Sequence, residues 1–174
     1  HWDMLPRSLN PGGLHALPEI RVHGPVLPVG LRCFAENMDE DTAHIVGEID
    51  LVSISKMSTW ITVVVEPLNC IAPSAKIEMP YHLKKGENTR LFSLHLKGLK
   101  KWWPKALGSP NLYRVVATVK PETGPSEVIE EQVGFRTVKM EDLNLRINGV
   151  PLFLRGANMA PVAPYLSEMS DEKV

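Results

Sequence analysis

The chain has 174 residues, 44% of them hydrophobic and 22% charged, enough to bury one core of an ordinary globular protein. Its 19 Lys and Arg residues stand against 20 Asp and Glu, a net charge of −1, so no strong field draws it to nucleic acid or to an anionic membrane surface. No apolar run reaches the roughly 20 residues of a membrane helix, and the longest stretches, such as Ile61 to Val65, have the length of a strand.

In chain order, the first residue is His1, and the start of the gene product is expected to lie upstream of it. Glu19-Ile20-Arg21-Val22-His23 alternates as a strand and is set off by Gly24-Pro25, so residues 1–24 are expected to close a preceding domain. Fifteen prolines and 12 glycines then divide the sequence into short runs, several of which alternate apolar with polar. Strand side chains point to opposite faces in turn, so Ile45, Ile49 and Leu51 share one face while Glu48 and Asp50 take the other. The same rule groups Ile61, Val63 and Val65, then Phe92, Leu94 and Leu96, then Tyr113, Val115, Ala117 and Val119. With further strands expected over residues 29–35, 75–79 and 128–138, the total is about seven. That count and pattern predict an all-β, immunoglobulin-like antiparallel sandwich over residues 25–139.

A long connection between the last two of those stripes holds Trp102-Trp103-Pro104 and Leu107-Gly108. Indoles on such a loop serve either as a packing plug or as a platform for stacking sugars. After the sandwich, residues 145–154 read as two short strands joined by Asn148-Gly149, whose tolerance of positive φ suits a two-residue hairpin turn. Ser170-Asp171-Glu172 then has the hydroxyl cap and acidic first turn of a helix start, so residues 140–174 are expected to enter a further, incomplete domain.

These stretches, taken together, resemble glycoside hydrolase family 2, in particular its β-mannosidase branch. Gly134-Phe135-Arg136 and the run from Ile147 through Arg155-Gly156-Ala157-Asn158 are similar to the segment that leads from the family's sandwich into its catalytic barrel. Trp102-Trp103-Pro104 with Leu112-Tyr113 is similar to a pattern late in that sandwich. Trp2-Asp3 resembles the start of a Trp-Asp-Trp element in the branch, although Met4 stands at its third position and Met159 follows Asn158 where Trp is common. The resemblance implies three parts: the last strands of a jelly roll over 1–24, the sandwich, and the first strand of a (β/α)8 barrel within 140–174.

What the resemblance implies for chemistry is asymmetric. Retaining glycosidases need two carboxyl groups about 5 Å apart, held on a rigid scaffold. In the family these are glutamates on later barrel strands, one of them following an Asn, and this sequence has no Asn-Glu dipeptide. No catalytic residue is therefore expected within the chain. By resemblance, Asp3 accepts hydrogen bonds from sugar hydroxyls, Trp2 lines the pocket and Asn158 sits at the barrel mouth, while Arg155 and Gly156 are structural. The expected partners are the missing jelly-roll and barrel domains, with a carbohydrate substrate only in the longer parent. No cofactor is expected, and the six scattered histidines and the cysteines Cys33 and Cys70 show no metal-ligand spacing. Glu130-Glu131, Asp39-Glu40-Asp41 and Glu141-Asp142 read as solvated charge at strand ends and turns. The alternative function is a stand-alone carbohydrate-binding or protein-interaction sandwich.

Overall fold

The structure, a computed structural model, describes residues 17, 18, 20 and 22–158. The described residues divide into two units, the flanking residues at either end and His23–Phe153. The second unit holds ten strands in three antiparallel sheets.

The sandwich has the seven strands that alternation predicts. One sheet orders β1 (Val26–Met38), β2 (Thr42–Ser53) and β5 (Gly86–Lys97) as β1-β2-β5. The other orders β4 (Ala75–Leu83), β3 (Met57–Pro67), β6 (Tyr113–Pro121) and β7 (Glu127–Val133) as β4-β3-β6-β7. Burial follows the two-residue period without a break along β2, from Ala43 to Ser53. Ile45, Ile49 and Leu51 from one sheet meet Ile61, Val63, Val65, Tyr113, Val115 and Ala117 from the other, all within 1% of full burial. Phe92, Leu94 and Leu96 complete the layer. The β-branched residues suit a pleated surface packed from above, and the register follows because a one-residue slip would turn this whole set to solvent.

Gly47, in the middle strand of β1-β2-β5, shows how tightly neighbouring strands of that sheet pack. A Cβ built there would lie 2.4 Å from the Phe92 ring and 2.5 Å from the Arg32 carbonyl oxygen, so the Phe92 ring lies where a side chain would be. Between β4 and β5 the chain crosses from one sheet to the other, and buried Asn88 holds the crossing. Its Nδ2 donates to the carbonyls of Lys84 and Gly86, at 2.9 and 2.8 Å, and its Oδ1 accepts from the Lys84 amide at 2.9 Å.

The third sheet orders β10 (Val150–Leu152), β9 (Asn144–Ile147) and β8 (Val138–Glu141) as β10-β9-β8. The Asn148-Gly149 turn forms as expected, with φ of 51° and 82° and Val150 paired to Ile147. A second tight turn has Asp142 and Leu143 at φ of 47° and 63°, between paired Glu141 and Asn144.

Two expectations are corrected. The strand over residues 128–138 is two strands, because the chain leaves the sheet after Val133 and re-forms a strand at Val138 with β9 as its new neighbour. The alternating segment at 19–23 is not a strand where it is described. Ile20 and Val22 are each 93% exposed and lie in no ladder, and alternation without a neighbouring strand leaves the backbone unpaired.

Candidate functional site

The structural-motif residues Trp102, Trp103, Pro104, Tyr113, Asn148 and Gly149 gather at one joint, where the tryptophan loop, the segment after β7 and the β9–β10 turn meet. Three segments close on Trp102, two of them distant in sequence. Its amide donates to the Phe135 carbonyl at 2.9 Å, and its own carbonyl accepts from Asn148 Nδ2 at 2.9 Å. Its ring lies 4.5 Å beneath the Arg136 guanidinium, and Arg136 also donates to the Gly134 carbonyl at 2.8 Å. Gly134 is glycine for a contact reason, since a Cβ there would fall 2.5 Å from Trp102 Cδ1. A β-bridge to Pro110 completes the set.

Asn148 carries the joint. Apart from its turn conformation, its amide donates to the Thr137 carbonyl at 2.9 Å, and its Oδ1 accepts from the Thr137 amide at 3.0 Å. With the bond to Trp102, one side chain thus fastens three segments. Beneath it, Tyr113 is fully buried against Phe135, with ring centroids 5.2 Å apart, and its hydroxyl accepts from the Lys100 amide at 2.8 Å. Burial pushes the Tyr113 phenol up to about 12, although the hydrogen bond from Lys100 acts the other way. Burial likewise raises the Cys33 thiol to about 12, helped by the charge of Glu131, so this cysteine stays a neutral thiol.

The loop itself is fixed from inside. Trp103 donates its amide to the Ser109 carbonyl at 3.1 Å and packs on Gly108, whose absent Cβ would meet it at 3.0 Å. Asn111 Nδ2 donates to the Lys101 carbonyl at 2.9 Å. Asn69 bridges neighbouring turns, donating to the Pro110 carbonyl and accepting from the Leu112 amide at 2.7 Å. Both indoles are half-buried, and Pro104 accepts from the amides of Leu107 and Gly108.

The remaining selected residues are not part of the joint. Arg155, Gly156 and Asn158 are exposed, outside the His23–Phe153 unit, in residues without secondary structure. Trp2, Asp3, Met4 and Met159 lie outside the described residues. The acidic runs at 39–41, 130–131 and 141–142 are exposed. Three further carboxylates face arginines: Glu48 and Asp50 contact Arg32 at 2.7 Å each, and Glu66 pairs with Arg114. Cys33 and Cys70 are both free thiols. Among the described residues no group of three or more His, Cys, Asp or Glu is arranged to hold a metal ion.

Sequence reasoning missed two features. The side-chain bonds of Asn148, Asn69 and Asn111 join separate segments, and the sequence reading of Asn148 covered its turn alone. The other is a cross-strand pair in which His44 and His95 stack with centroids 4.7 Å apart while His44 Nδ1 lies 3.0 Å from Glu36. Only the register of β2 on β5 brings those residues together.

Comparison with known proteins agrees with this geometry. The family model for Glycosyl hydrolases family 2 matches residues 36–136. A beta-galactosidase of Vibrio vulnificus is 38% identical over 82 residues, covering 47% of this chain and 8% of that protein. A probable beta-mannosidase of Caenorhabditis elegans is 32% identical over 82 residues, covering 40% of this chain and 9% of that protein. A crystal structure of a beta-D-mannosidase from Dictyoglomus thermophilum superposes with a TM-score of 0.75 at 22% identity, over 86% of this chain and 19% of that one, which shows a shared fold. The chain thus spans less than a tenth of the length of either curated relative. The seven-strand sandwich and the match to more than half of its length establish that the chain belongs to glycosyl hydrolases family 2.

Proposed function

We propose that this chain is the bracing sandwich of a longer retaining glycoside hydrolase of the β-mannosidase-like kind, and that it cleaves no glycosidic bond by itself. The observation that carries this reading is the Asn148 joint, which fastens the tryptophan loop to the hairpin that leaves the sandwich. A glycosidase places its reacting groups to within a fraction of an ångström, so a rigid link between its domains contributes to rate without touching substrate. In the longer protein the sandwich holds the domain before it against the barrel after it, so that Asp3 and Trp2 reach the sugar beside Asn158. The catalytic carboxyl pair belongs to the barrel.

The alternative, a stand-alone sugar-binding module with Trp102 and Trp103 as its platform, fits the geometry less well. A platform offers open ring faces, whereas Arg136 covers one face of Trp102 and Gly134 packs on its edge. Incubation of the purified chain with aryl β-mannoside and aryl β-galactoside is expected to give no turnover. Measurable hydrolysis of either overturns the bracing role, and quenching of tryptophan fluorescence by mannan oligosaccharides favours the binding module.

A further inference from the structure

One edge of the sandwich carries backbone groups that have no ladder partner among the described residues. Among the described residues β5 pairs with β2 alone. Tyr81 Oη donates to the Thr89 carbonyl at 3.1 Å from the β4 side, so Thr89 points its backbone groups away from β2, whereas the Gly98 amide donates to Asp41 on the β2 side. Backbone groups alternate sides along a strand. The N–H and C=O of Leu91, Ser93 and His95 therefore face the open edge. The His44–His95 stack agrees, since cross-strand residues that exchange no backbone bonds bring their side chains closest.

Beside this edge runs a groove of 770 Å³ lined by Phe34, Val46 and Leu91, with Ile77 and Met79 contributed from β4. Phe34 and Leu91 are 62% and 68% exposed, a large apolar surface to leave beside unpaired backbone. The charges around the groove are matched with one exception. Arg32 is held by Glu48 and Asp50, and Glu36 lies 3.0 Å from His44 Nδ1. Arg90 donates its Nε to Met79 Sδ at 3.2 Å and lies 5.4 Å from the Tyr81 ring, and it has no carboxylate partner among the described residues. Leu91 and Arg90 point to opposite sides of β5, so an incoming strand meets apolar side chains on one face and a guanidinium on the other.

We propose that the β5 edge receives an extended polypeptide segment as an added strand, with apolar side chains seated beside Phe34 and Leu91 and an alternate carboxylate on Arg90. Main-chain bonds to Leu91, Ser93 and His95 supply the general affinity, and the arginine with the groove supplies the choice of sequence. The inference does not depend on the bracing role.

The test is an amide NMR titration of the whole chain with a short acetylated peptide that alternates valine with threonine and carries one central glutamate. The amides of Leu91, Ser93 and His95 are expected to shift and to gain protection from exchange. A peptide with glutamine in place of glutamate, and separately Arg90→Gln, is expected to bind about tenfold more weakly, the loss of one charge-assisted bond. Ser93→Pro removes an outward N–H that serves no ladder bond and is expected to abolish binding. The glutamine peptide keeps the test valid even if a protein variant unfolds. Shifts confined to other residues, equal binding of the two peptides, or a concentration-dependent dimer paired through β5 would each overturn the proposal.

Discussion

The sandwich core and the joint at Asn148 are stabilised by different physics. Between the sheets, burial of Ile45, Ile61, Val63 and their neighbours is non-directional and redundant, and each side chain contributes roughly 1.5–3 kcal/mol through area removed from water. At the joint the contacts are few and directional: one asparagine, one ring under a guanidinium, one glycine against an indole. The first arrangement sets how much energy holds the domain, and the second sets the direction in which the chain leaves it. A core of β-branched residues can be varied in detail, whereas the joint depends on single atoms.

That contrast breaks most visibly at the core. Ile61→Ala is expected to cost about 2–5 kcal/mol, seen as a global fall in the denaturation midpoint with all strands affected together. Gly47→Ala belongs with it, at about 2 kcal/mol or more, because the Arg32 carbonyl oxygen in the new Cβ's way is backbone.

Asn148→Ala is expected to cost about 1–3 kcal/mol, leaving the Thr137 amide and the Trp102 carbonyl without partners and placing alanine at a positive φ. Its effect is local. Gly134→Ala acts on the same joint by displacing the Trp102 ring, and a change in tryptophan emission without loss of sheet signal in circular dichroism is the expected reading.

Alkaline titration sharpens the comparison further. The Tyr113 phenol titrates near 10 when unfolded and at about 12 when folded. Below pH 10 both states hold the proton and stability does not vary on this account. From pH 10 to about 12 the unfolded chain has released it while the folded chain has not, so stability falls as pH rises. Cys33 acts in the same direction from pH 9 upward. Tyr113→Phe is expected to flatten the fall above pH 10 while lowering stability at neutral pH through the unpaired Lys100 amide. The smallest effect is expected at the exposed acids, where Glu130→Gln should change stability by less than about 0.5 kcal/mol.

How legible these regions were in the sequence follows the same division. The four apolar stripes of the core were readable because a strand's two-residue period is local, and Asn148-Gly149 announced its turn for the same reason. The joint was not readable as a joint. The break after Val133 exists because Gly134 and Phe135 meet Trp102, some 30 residues earlier in the chain, and no local pattern encodes that meeting. The His44–His95 pair and the open edge at Leu91 likewise depend on which strand lies beside which. The family resemblance supplied the order of the motifs, and the geometry supplied the reason Trp102, Gly134 and Asn148 occur together.

Native-state hydrogen exchange on Asn148→Ala tests the division between core and joint most directly. Loss of protection at Thr137 and along β8–β10, with β3 and β6 protected as before, is the expected result. Equal loss in β3 and β6, or unchanged protection at Thr137, would contradict it.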